Sequence, residues 1–324
     1  MRAITAILSA CLLGACVNTP DTGLRPDPAP SFAPLQHPFR GATLYADPDS
    51  AAAKWQRANG DPDWLDPITG TAQAVWLTSP QDLERLPALA RAAARSRSLL
   101  VLVAYYIPDR GCTGHKDGAP NAEVYLNWIE QVNSGLGTTK SVMILEPDAL
   151  AADCFSLERA KLLGETVRRL AAAGHYPYLD AGHPKWKSTG ETAQRLMASG
   201  IQGAQGFSVN VSNRQPTEDS DRWGWELSDL VGDREFVIDT SRNGVGAPPD
   251  NQWCNPAHQA LGAKPSTDTG LHAAALLWIK RPGESDGHCG GETTYEFAPR
   301  QAANLVANAQ WVPEGLRKRA GVFR

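Results

Sequence analysis

Carboxylates in this chain follow directly after apolar segments, at positions where they could carry acid–base chemistry. The run Val142–Leu145 is apolar and β-prone, and it ends in Glu146-Pro147-Asp148. Pro147 cannot donate to a sheet and favours an extended Glu146, so we expect the strand to stop there. Asp148 would then lie at the carboxyl end of a buried strand, where (β/α) enzymes place catalytic groups. For a single aspartate, capping of the next helix is the commoner role.

Polar residues follow five further apolar runs in the same way. The clusters read IPDRGC at 107–112, LDAGH at 179–183, NVSN at 210–213, DTSRNG at 239–244 and KRPGESD at 280–286. Helix caps explain one or two such clusters, whereas six at the ends of successive strands indicate a single cleft.

The elements that must position this cleft alternate between strands and helices. The predicted strands are Ala74–Leu77, Leu99–Tyr106, Val142–Leu145, Tyr176–Leu179, Gly206–Val209, Phe236–Ile238 and Ala274–Ile279, and helices are predicted at Leu83–Arg95, Ala122–Val132, Ser156–Ala173 and Glu191–Ala198. The alternation implies parallel strands, and seven of them favour a (β/α) barrel in the α/β class. An open doubly wound sheet is the alternative, although no Gly-rich phosphate loop follows the early strands.

The N-terminus indicates export. Arg2 precedes the apolar stretch Ala3–Leu13, which is too short to span a membrane, and Leu13-Gly14-Ala15-Cys16 has the form of a bacterial lipoprotein cleavage site. We predict a signal peptide over 1–16 with lipidation of Cys16, which would anchor the exported protein to a membrane, in the periplasm or at the cell surface. A secretory peptide without a lipid is the alternative.

Composition divides the remaining chain into a tether and one folded domain. Residues 17–40 are rich in proline and poor in aliphatic residues, which predicts an unfolded spacer, and residues 41–324 form the expected catalytic domain. The 35 acidic and 31 basic residues nearly balance, so nothing indicates a nucleic-acid partner. We expect a monomer.

Four cysteines follow the signal peptide, and an even number in an exported chain predicts two disulfides. Of the three possible pairings we predict Cys112–Cys154 with Cys254–Cys289, because each bond would clamp a long loop locally. None of the four lies in a C-x-x-C pair, which argues against zinc. His175, Asp180 and His183 form an alternative metal-ligand set, but without paired histidines at helical spacing we expect no metal.

Seven segments read, in order, YYIPDRGC, ILEPDALA, YLDAGHPKW, GFSVNVSN, IDTSRNGVG, WCNPAHQALG and WIKRPGESDG. Together they resemble glycoside hydrolase family 6, the inverting β-1,4-glucanases, and they cover about residues 43–300. The resemblance implies a distorted α/β barrel. It also implies hydrolysis of β-1,4-glucosidic bonds in cellulose or related β-glucans, with inversion and without a cofactor.

The resemblance assigns catalytic roles to four residues. Asp148 matches the general acid, which needs burial or a neighbouring carboxylate to raise its pKa. Asp180 matches a carboxylate that helps to set this environment, and Asp286 matches the one considered as base or electrostatic stabiliser. Tyr105 matches the tyrosine beneath the sugar that is distorted at the cleavage point. An inverting mechanism places acid and base roughly 6.5–9.5 Å apart, with a water between them.

Eight further residues are predicted to bind the glucan: Trp55, Trp186 and Trp253 by stacking, and His183, Asn210, Asn255, Lys280 and Glu284 through polar contacts. An indole face suits the apolar C–H face of a β-linked glucose. Trp76, Trp128 and Trp278 lie inside predicted elements, and we assign them to the core.

One position departs from the family pattern. The family reads Pro-x-Arg-Asp-Cys, and this chain has Gly111 in place of the aspartate. The missing carboxylate ordinarily supports the acid and its water network. Asp109 and Asp117 on the same loop are candidates to replace it. The alternative to an active glucanase is therefore a catalytically impaired, polysaccharide-binding lipoprotein.

Loop lengths favour cleavage inside the glucan chain. Chain-end enzymes of the family cover the cleft with long loops. Here the loop near Gly111–Asn121 is rich in turn-forming residues, and the segment from Asn255 to Cys289 must also supply the strand Ala274–Ile279. Little chain remains to cover the cleft, so we predict an open groove and endo action.

Overall fold

Parallel β-strands form the centre of the fold in the computed structural model, which describes residues 37–112, 118–250, 252–290, 292 and 296–323. In the described residues there are eight strands: β1 Thr43–Leu44, β2 Val75–Leu77, β3 Ser98–Ala104, β4 Ser141–Leu145, β5 Tyr176–Asp180, β6 Gly206–Val209, β7 Glu235–Asp239 and β8 Ala275–Leu277. Strands β2 to β8 are the seven predicted ones. The two-residue β1 is an addition.

Nine α-helices lie in the described residues: α1 Ala51–Ala58, α2 Asp66–Thr69, α3 Leu86–Ser96, α4 Ala122–Leu136, α5 Leu157–Ala172, α6 Thr189–Ala198, α7 Thr217–Leu230, α8 Pro299–Asn308 and α9 Glu314–Phe323. The four predicted helices correspond to α3, α4, α5 and α6. Asn121, Ser156 and Ser188 cap the last three, because each side chain accepts the backbone N–H three residues on.

The strands pair in parallel in the order β1–β3–β4–β5–β6–β7–β8, and β2 also pairs with β3. The sheet curls so that β2 approaches β8: the backbone N–H of Ala74, just before β2, donates to the carbonyl of Trp278, just after β8 (2.9 Å). The predicted parallel α/β barrel of about seven strands is therefore confirmed, and the open doubly wound sheet is wrong.

Alternate residues of each strand face the barrel interior and the helices. Val101, Val103, Val142 and Ile144 pack in the interior, and the intervening residues of β3 and β4 pack under the helices. On β5, Tyr178 faces inward, so the two-residue period turns Asp180 inward at the strand's carboxyl end. Asp239 follows the inward Val237 of β7 in the same way. Strand period alone thus brings carboxylates to one end of the barrel.

The described residues belong to one compact unit, Leu35–Arg324. The predicted signal peptide, the lipidation at Cys16 and most of the predicted tether lie outside the described residues, as does Asp117. Within the described ranges, no helix combines the length and apolar character needed to cross a membrane.

Candidate active site

Asp148 lies in a sharp turn after β4. Both Glu146 (φ 49°) and Asp148 (φ 74°) adopt left-handed backbone conformations, which are strained for residues with a side chain. The prediction of an extended Glu146 is therefore wrong. The Glu146 carboxylate accepts hydrogen bonds from the backbone N–H groups of Tyr106 (3.2 Å) and Ile107 (3.0 Å), and these contacts hold the turn. Ser156 caps the following helix, so capping is not the role of Asp148.

Asp148 and Asp180 form a carboxylate pair at the ends of the neighbouring strands β4 and β5. The backbone N–H of Asp148 donates to Oδ2 of Asp180 (2.9 Å), and the Ser208 hydroxyl donates to Oδ1 (3.0 Å). Burial is the main cause that raises the pKa of Asp148 to about 6; the charges of Lys280 and Arg242 oppose this increase, and that of Asp286 adds to it. Burial and the charge of Asp148 raise the pKa of Asp180 to about 7. This pair can retain a proton near neutral pH.

Asp286 lies in the opposite electrostatic environment. Arg242 donates to both of its carboxylate oxygens (2.8 and 3.0 Å), and Arg214 donates to Oδ2 (3.2 Å). The Lys280 ammonium lies 3.8 Å from Oδ1 and 3.5 Å from the Glu284 carboxylate. Although burial alone would raise it, the charges of Arg242, Lys280 and Arg214 hold the pKa of Asp286 well below its ordinary range. Asp286 therefore stays ionised at pH values below about 6, where Asp148 is mostly protonated.

The two arginines and Asp239 are site residues that sequence reasoning missed. Asp239 at the end of β7 accepts four backbone N–H groups, from Ser212, Ser241, Ile279 and Lys280 (2.9–3.2 Å). It thereby ties the loops after β6, β7 and β8 together. The motifs VSNR and DTSR contain these residues, but the sequence does not say which carboxylate a buried arginine faces.

Asn210 and Asn255 hold loops at the same end of the barrel. Asn210 is fully buried, and its side chain bonds the Asp239 carbonyl and the Gln215 backbone. Asn255 donates to the carbonyls of Gly287 and Cys289 and accepts the backbone N–H of Asp286 (2.8 Å). These contacts order the loops around Asp239 and Asp286, and a substrate-binding role for the two asparagines stays a prediction.

Tyr105 and Trp76 form an aromatic floor. Their rings meet edge to face with centroids 5.4 Å apart, and the Arg110 guanidinium lies 4.7 Å from the Tyr105 ring centroid. The Lys280 ammonium lies over Trp76 at 5.8 Å, which places this floor beside the Asp286 cluster. Trp76, Trp128 and Trp278 are all buried, as expected for core residues.

Two predicted stacking residues are exposed. Trp186 is 38% exposed and lies 5.5 Å from the His183 ring, and burial lowers the pKa of His183 to about 4. Trp253 is 65% exposed, and its carbonyl accepts a hydrogen bond from Arg214 (2.7 Å), the same arginine that holds Asp286. Both aromatic faces can therefore accept a ligand.

Trp55 is packed differently. On α1 its ring contacts Trp64, Phe297 and Phe323, with centroids 5.6–6.2 Å apart. These contacts join α1 to the C-terminal helices, and none of them is to the carboxylates. A stacking role for Trp55 stays a prediction.

Both predicted disulfides, Cys112–Cys154 and Cys254–Cys289, are present. The first joins the Gly111 loop to the segment after Asp148, and the second closes the loop between Trp253 and Asp286. Asp109 on the first loop lies near Arg159, because its charge raises the pKa of that guanidinium against the lowering effect of burial. Asp109 therefore has a cationic neighbour on the helix side of the barrel.

The alternative metal-ligand set does not assemble. His175 precedes β5 and contacts the Ser141 hydroxyl (3.3 Å), whereas Asp180 and His183 follow the other end of that strand. Among the described residues, no three His, Cys, Asp or Glu side chains are grouped so that they could hold a metal ion.

Comparison with known proteins gives the family. The model for "Glycosyl hydrolases family 6" matches residues 39–315. The chain belongs to this family. It is 38% identical over 280 residues to Endoglucanase A of Cellulomonas fimi, covering 83% of this chain and 62% of that protein. It is 37% identical over 301 residues to Endoglucanase 1 of Streptomyces halstedii, covering 85% of this chain and 92% of that protein. The chain thus spans less than two thirds of the Cellulomonas protein.

Among solved structures of the family, an endoglucanase from Mycobacterium tuberculosis superposes with a TM-score of 0.79 at 40% identity. The match covers 84% of this chain and 99% of that one, and that enzyme is in complex with methyl-cellobiosyl-4-deoxy-4-thio-β-D-cellobioside. A Humicola insolens endoglucanase matches with a TM-score of 0.72 at 23% identity, which concerns the fold alone.

Proposed function

We propose that the protein is an endo-acting β-1,4-glucanase that hydrolyses cellulose or a related β-glucan with inversion. The observation that carries this proposal is the contrast between the pKa values of two carboxyls at one end of the barrel. The pKa of Asp148 is raised to about 6, and that of Asp286 is held far below its ordinary value. One group can donate a proton while the other stays negative, which is what glycoside hydrolysis requires.

Asp148 acts as the general acid. Its proton passes to the glycosidic oxygen as the bond from that oxygen to C1 breaks, so the leaving chain departs as an alcohol. Water adds to C1 from the opposite face and releases its proton to the solvent in the cleft. Asp180 is a positioning residue, because it fixes the backbone of Asp148 through the 2.9 Å hydrogen bond.

Asp286 serves better as an electrostatic stabiliser than as a strong proton acceptor. A carboxylate shared by Arg242, Arg214 and Lys280 has a low affinity for protons. Its negative charge still favours the positive charge that develops on the sugar ring in the transition state. The water therefore attacks C1 while the negative charge of Asp286 stabilises the sugar ring.

The relatives support a β-1,4-glucan as substrate, since two at 37–38% identity are named endoglucanases and one solved structure contains a thio-linked cellobioside. Trp186 and Trp253 offer exposed faces for glucose rings, and His183 is a polar contact beside Trp186. The binding-only alternative rests on Gly111 alone. It lacks support, because the three carboxylates form an electrostatically matched set.

We further propose that the protein is exported and anchored through lipidated Cys16, with residues 17–40 as spacer. The two disulfides support an oxidising compartment. Mass spectrometry of the mature protein should find a diacylglyceryl modification on Cys16. A mature N-terminus at another residue would contradict the anchor without affecting the enzymatic proposal.

The activity is tested with soluble carboxymethylcellulose. Endo action lowers the viscosity well before much reducing sugar appears, whereas release of cellobiose with unchanged viscosity would indicate attack at chain ends. Asp148→Asn is the matched control, because it should keep glucan binding and lose turnover by at least about 100-fold. Near wild-type turnover of this variant would contradict the assignment of the acid.

A further inference from the structure

Trp225 and His272 form an exposed aromatic pair on the outer wall of the barrel. Trp225 lies in the middle of α7 and is 55% exposed. Its ring stacks on that of His272, with centroids 5.0 Å apart and planes inclined by 22°. An indole this open contributes little to the core, because stabilisation by burial is proportional to the area removed from water.

Asp221, one turn before Trp225 on α7, fixes the position of His272. Its carboxylate accepts the backbone N–H of Ala273 (2.9 Å) and faces Nδ1 of His272 (2.8 Å). The carboxylate itself is buried, whereas the imidazole is 54% exposed. A buried charged group thus orders a solvent-exposed ring, so the pair is rigid before any ligand arrives.

The pair is separate from the catalytic cleft. Helix α7 begins at Thr217, shortly after the loop that follows β6, and runs away from the cleft. Trp225 is eight residues further on, roughly 12 Å along the helix axis. His272 precedes β8, whereas Lys280 of the catalytic cluster follows that strand. The two sites therefore lie toward opposite ends of β8.

The surroundings combine one apolar face with polar groups. Arg222 and Asp229 are exposed and lie one turn before and one turn after Trp225 on the same helix, and Leu271 beside His272 is 39% exposed. A β-1,4-glucan presents apolar C–H faces bordered by equatorial hydroxyls, which suit an indole flanked by charged hydrogen-bonding groups. A purely apolar partner would leave these charges desolvated.

We propose that Trp225 and His272 form a second, non-catalytic binding site for a β-glucan chain. This inference rests on the proposed function, since a polymeric substrate is the ligand that could reach both the cleft and the outer wall. The site would hold an insoluble polymer against the enzyme and leave the hydrolysis of short soluble oligosaccharides unaffected.

The experiment measures binding to phosphoric-acid-swollen cellulose in the Asp148→Asn background. Adding Trp225→Ala and His272→Ala should weaken binding roughly tenfold, the size expected for one lost stacking contact. Trp225→Ala alone, which keeps the His272–Asp221 contact and introduces a strong helix former, should give most of that loss. Leu230→Ala is the matched control, because it removes another half-exposed apolar side chain from α7 and should not weaken binding.

With Asp148 intact, the Trp225→Ala/His272→Ala protein should hydrolyse cellotetraose at the wild-type rate. Unchanged cellulose binding, or an equal loss in Leu230→Ala, would overturn the second site. Failure of the wild-type protein to hydrolyse cellotetraose would instead refute the proposed function, so the two failures are distinguishable.

Discussion

The backbone N–H of Asp148 donates a 2.9 Å hydrogen bond to Oδ2 of Asp180, which couples the proposed acid to a second buried carboxyl. Burial is the largest cause that raises the pKa of both carboxyls, and the charge of Asp148 raises that of Asp180 further. Burial at the ends of β4 and β5 therefore favours a retained proton near neutral pH.

The pH dependence of kcat/KM follows from this pair. Asp148 must be protonated to act, so kcat/KM on a soluble cello-oligosaccharide should fall as the pH rises through about 6. No acid limb is expected above about pH 4, because Asp286 stays ionised there. The profile is measured from pH 3.5 to 9. A bell-shaped profile in which kcat/KM also falls below about pH 5 would contradict the assignment of Asp286.

Arg242 should govern the charge state of Asp286. Arg242→Lys loses the bidentate contact, so the pKa of Asp286 should rise and an acid limb should appear in kcat/KM, with roughly a 10–100-fold loss of activity. Arg281→Lys is the matched control, because Arg281 pairs with Glu284 on the same loop. An Arg242→Lys profile that differs from wild type only in height would argue for a purely structural role.

Stability should fall with rising pH across the neutral range. The pKa of Glu146 is raised to about 7 by burial, against an ordinary value of 4.5. A carboxyl whose pKa is raised in the folded state contributes stability that is fully present below its unfolded-state pKa. This contribution is lost as the pH rises through its folded-state pKa. For Glu146 this loss is about 3 kcal/mol between pH 4 and 8.

The Tm should therefore decrease over this window, and Glu146→Gln should make the decrease smaller by several degrees. The two proteins are compared by the slope of Tm against pH. A loss of stability from altered hydrogen bonds that is equal at every pH does not change this slope. Parallel wild-type and Glu146→Gln curves would show that Glu146 does not titrate in the folded protein over this range.

Gly111 offers a gain-of-function test. Because the family pattern has aspartate there, Gly111→Asp should raise kcat on soluble glucan by about tenfold through better support of the acid and its water. Gly111→Asn has nearly the same shape without the charge and should give no such gain. Equal rates in wild type and Gly111→Asp would show that this enzyme works independently of that carboxylate.

Strand positions and the polar clusters that follow the strands were predictable from the sequence, because both follow from short-range patterns, whereas the roles of Asp148, Asp180 and Asp286 came from the resemblance to the family. The apolar runs set β2 to β8, and the residues just after them include Asp148 and Asp180. Helix α7 was harder to predict, because Gly224 interrupts a charged sequence. The glycine is explained by tertiary packing, because a Cβ at position 224 would lie 2.4 Å from the Phe236 ring.

The pairing of buried charges could not be predicted. Arg214 and Arg242 reach Asp286 from the loops after β6 and β7, which are held together by long-range hydrogen bonds such as those to Asp239. The amides of Asn210 and Asn255 bond backbone groups that only the folded loops bring together, and the sequence motifs do not indicate these contacts. Such contacts depend on loop paths, and residue type alone does not specify these paths.

The central claim is hydrolysis of a β-1,4-glucan by inversion with Asp148 as the acid. The most direct measurement is proton NMR of the anomeric signals during the first minutes of cellopentaose hydrolysis, before mutarotation. The α-anomer should be in excess at the newly formed reducing ends, and Asp148→Asn should form none. An initial excess of the β-anomer, or no cleavage by the wild-type protein, would contradict the account.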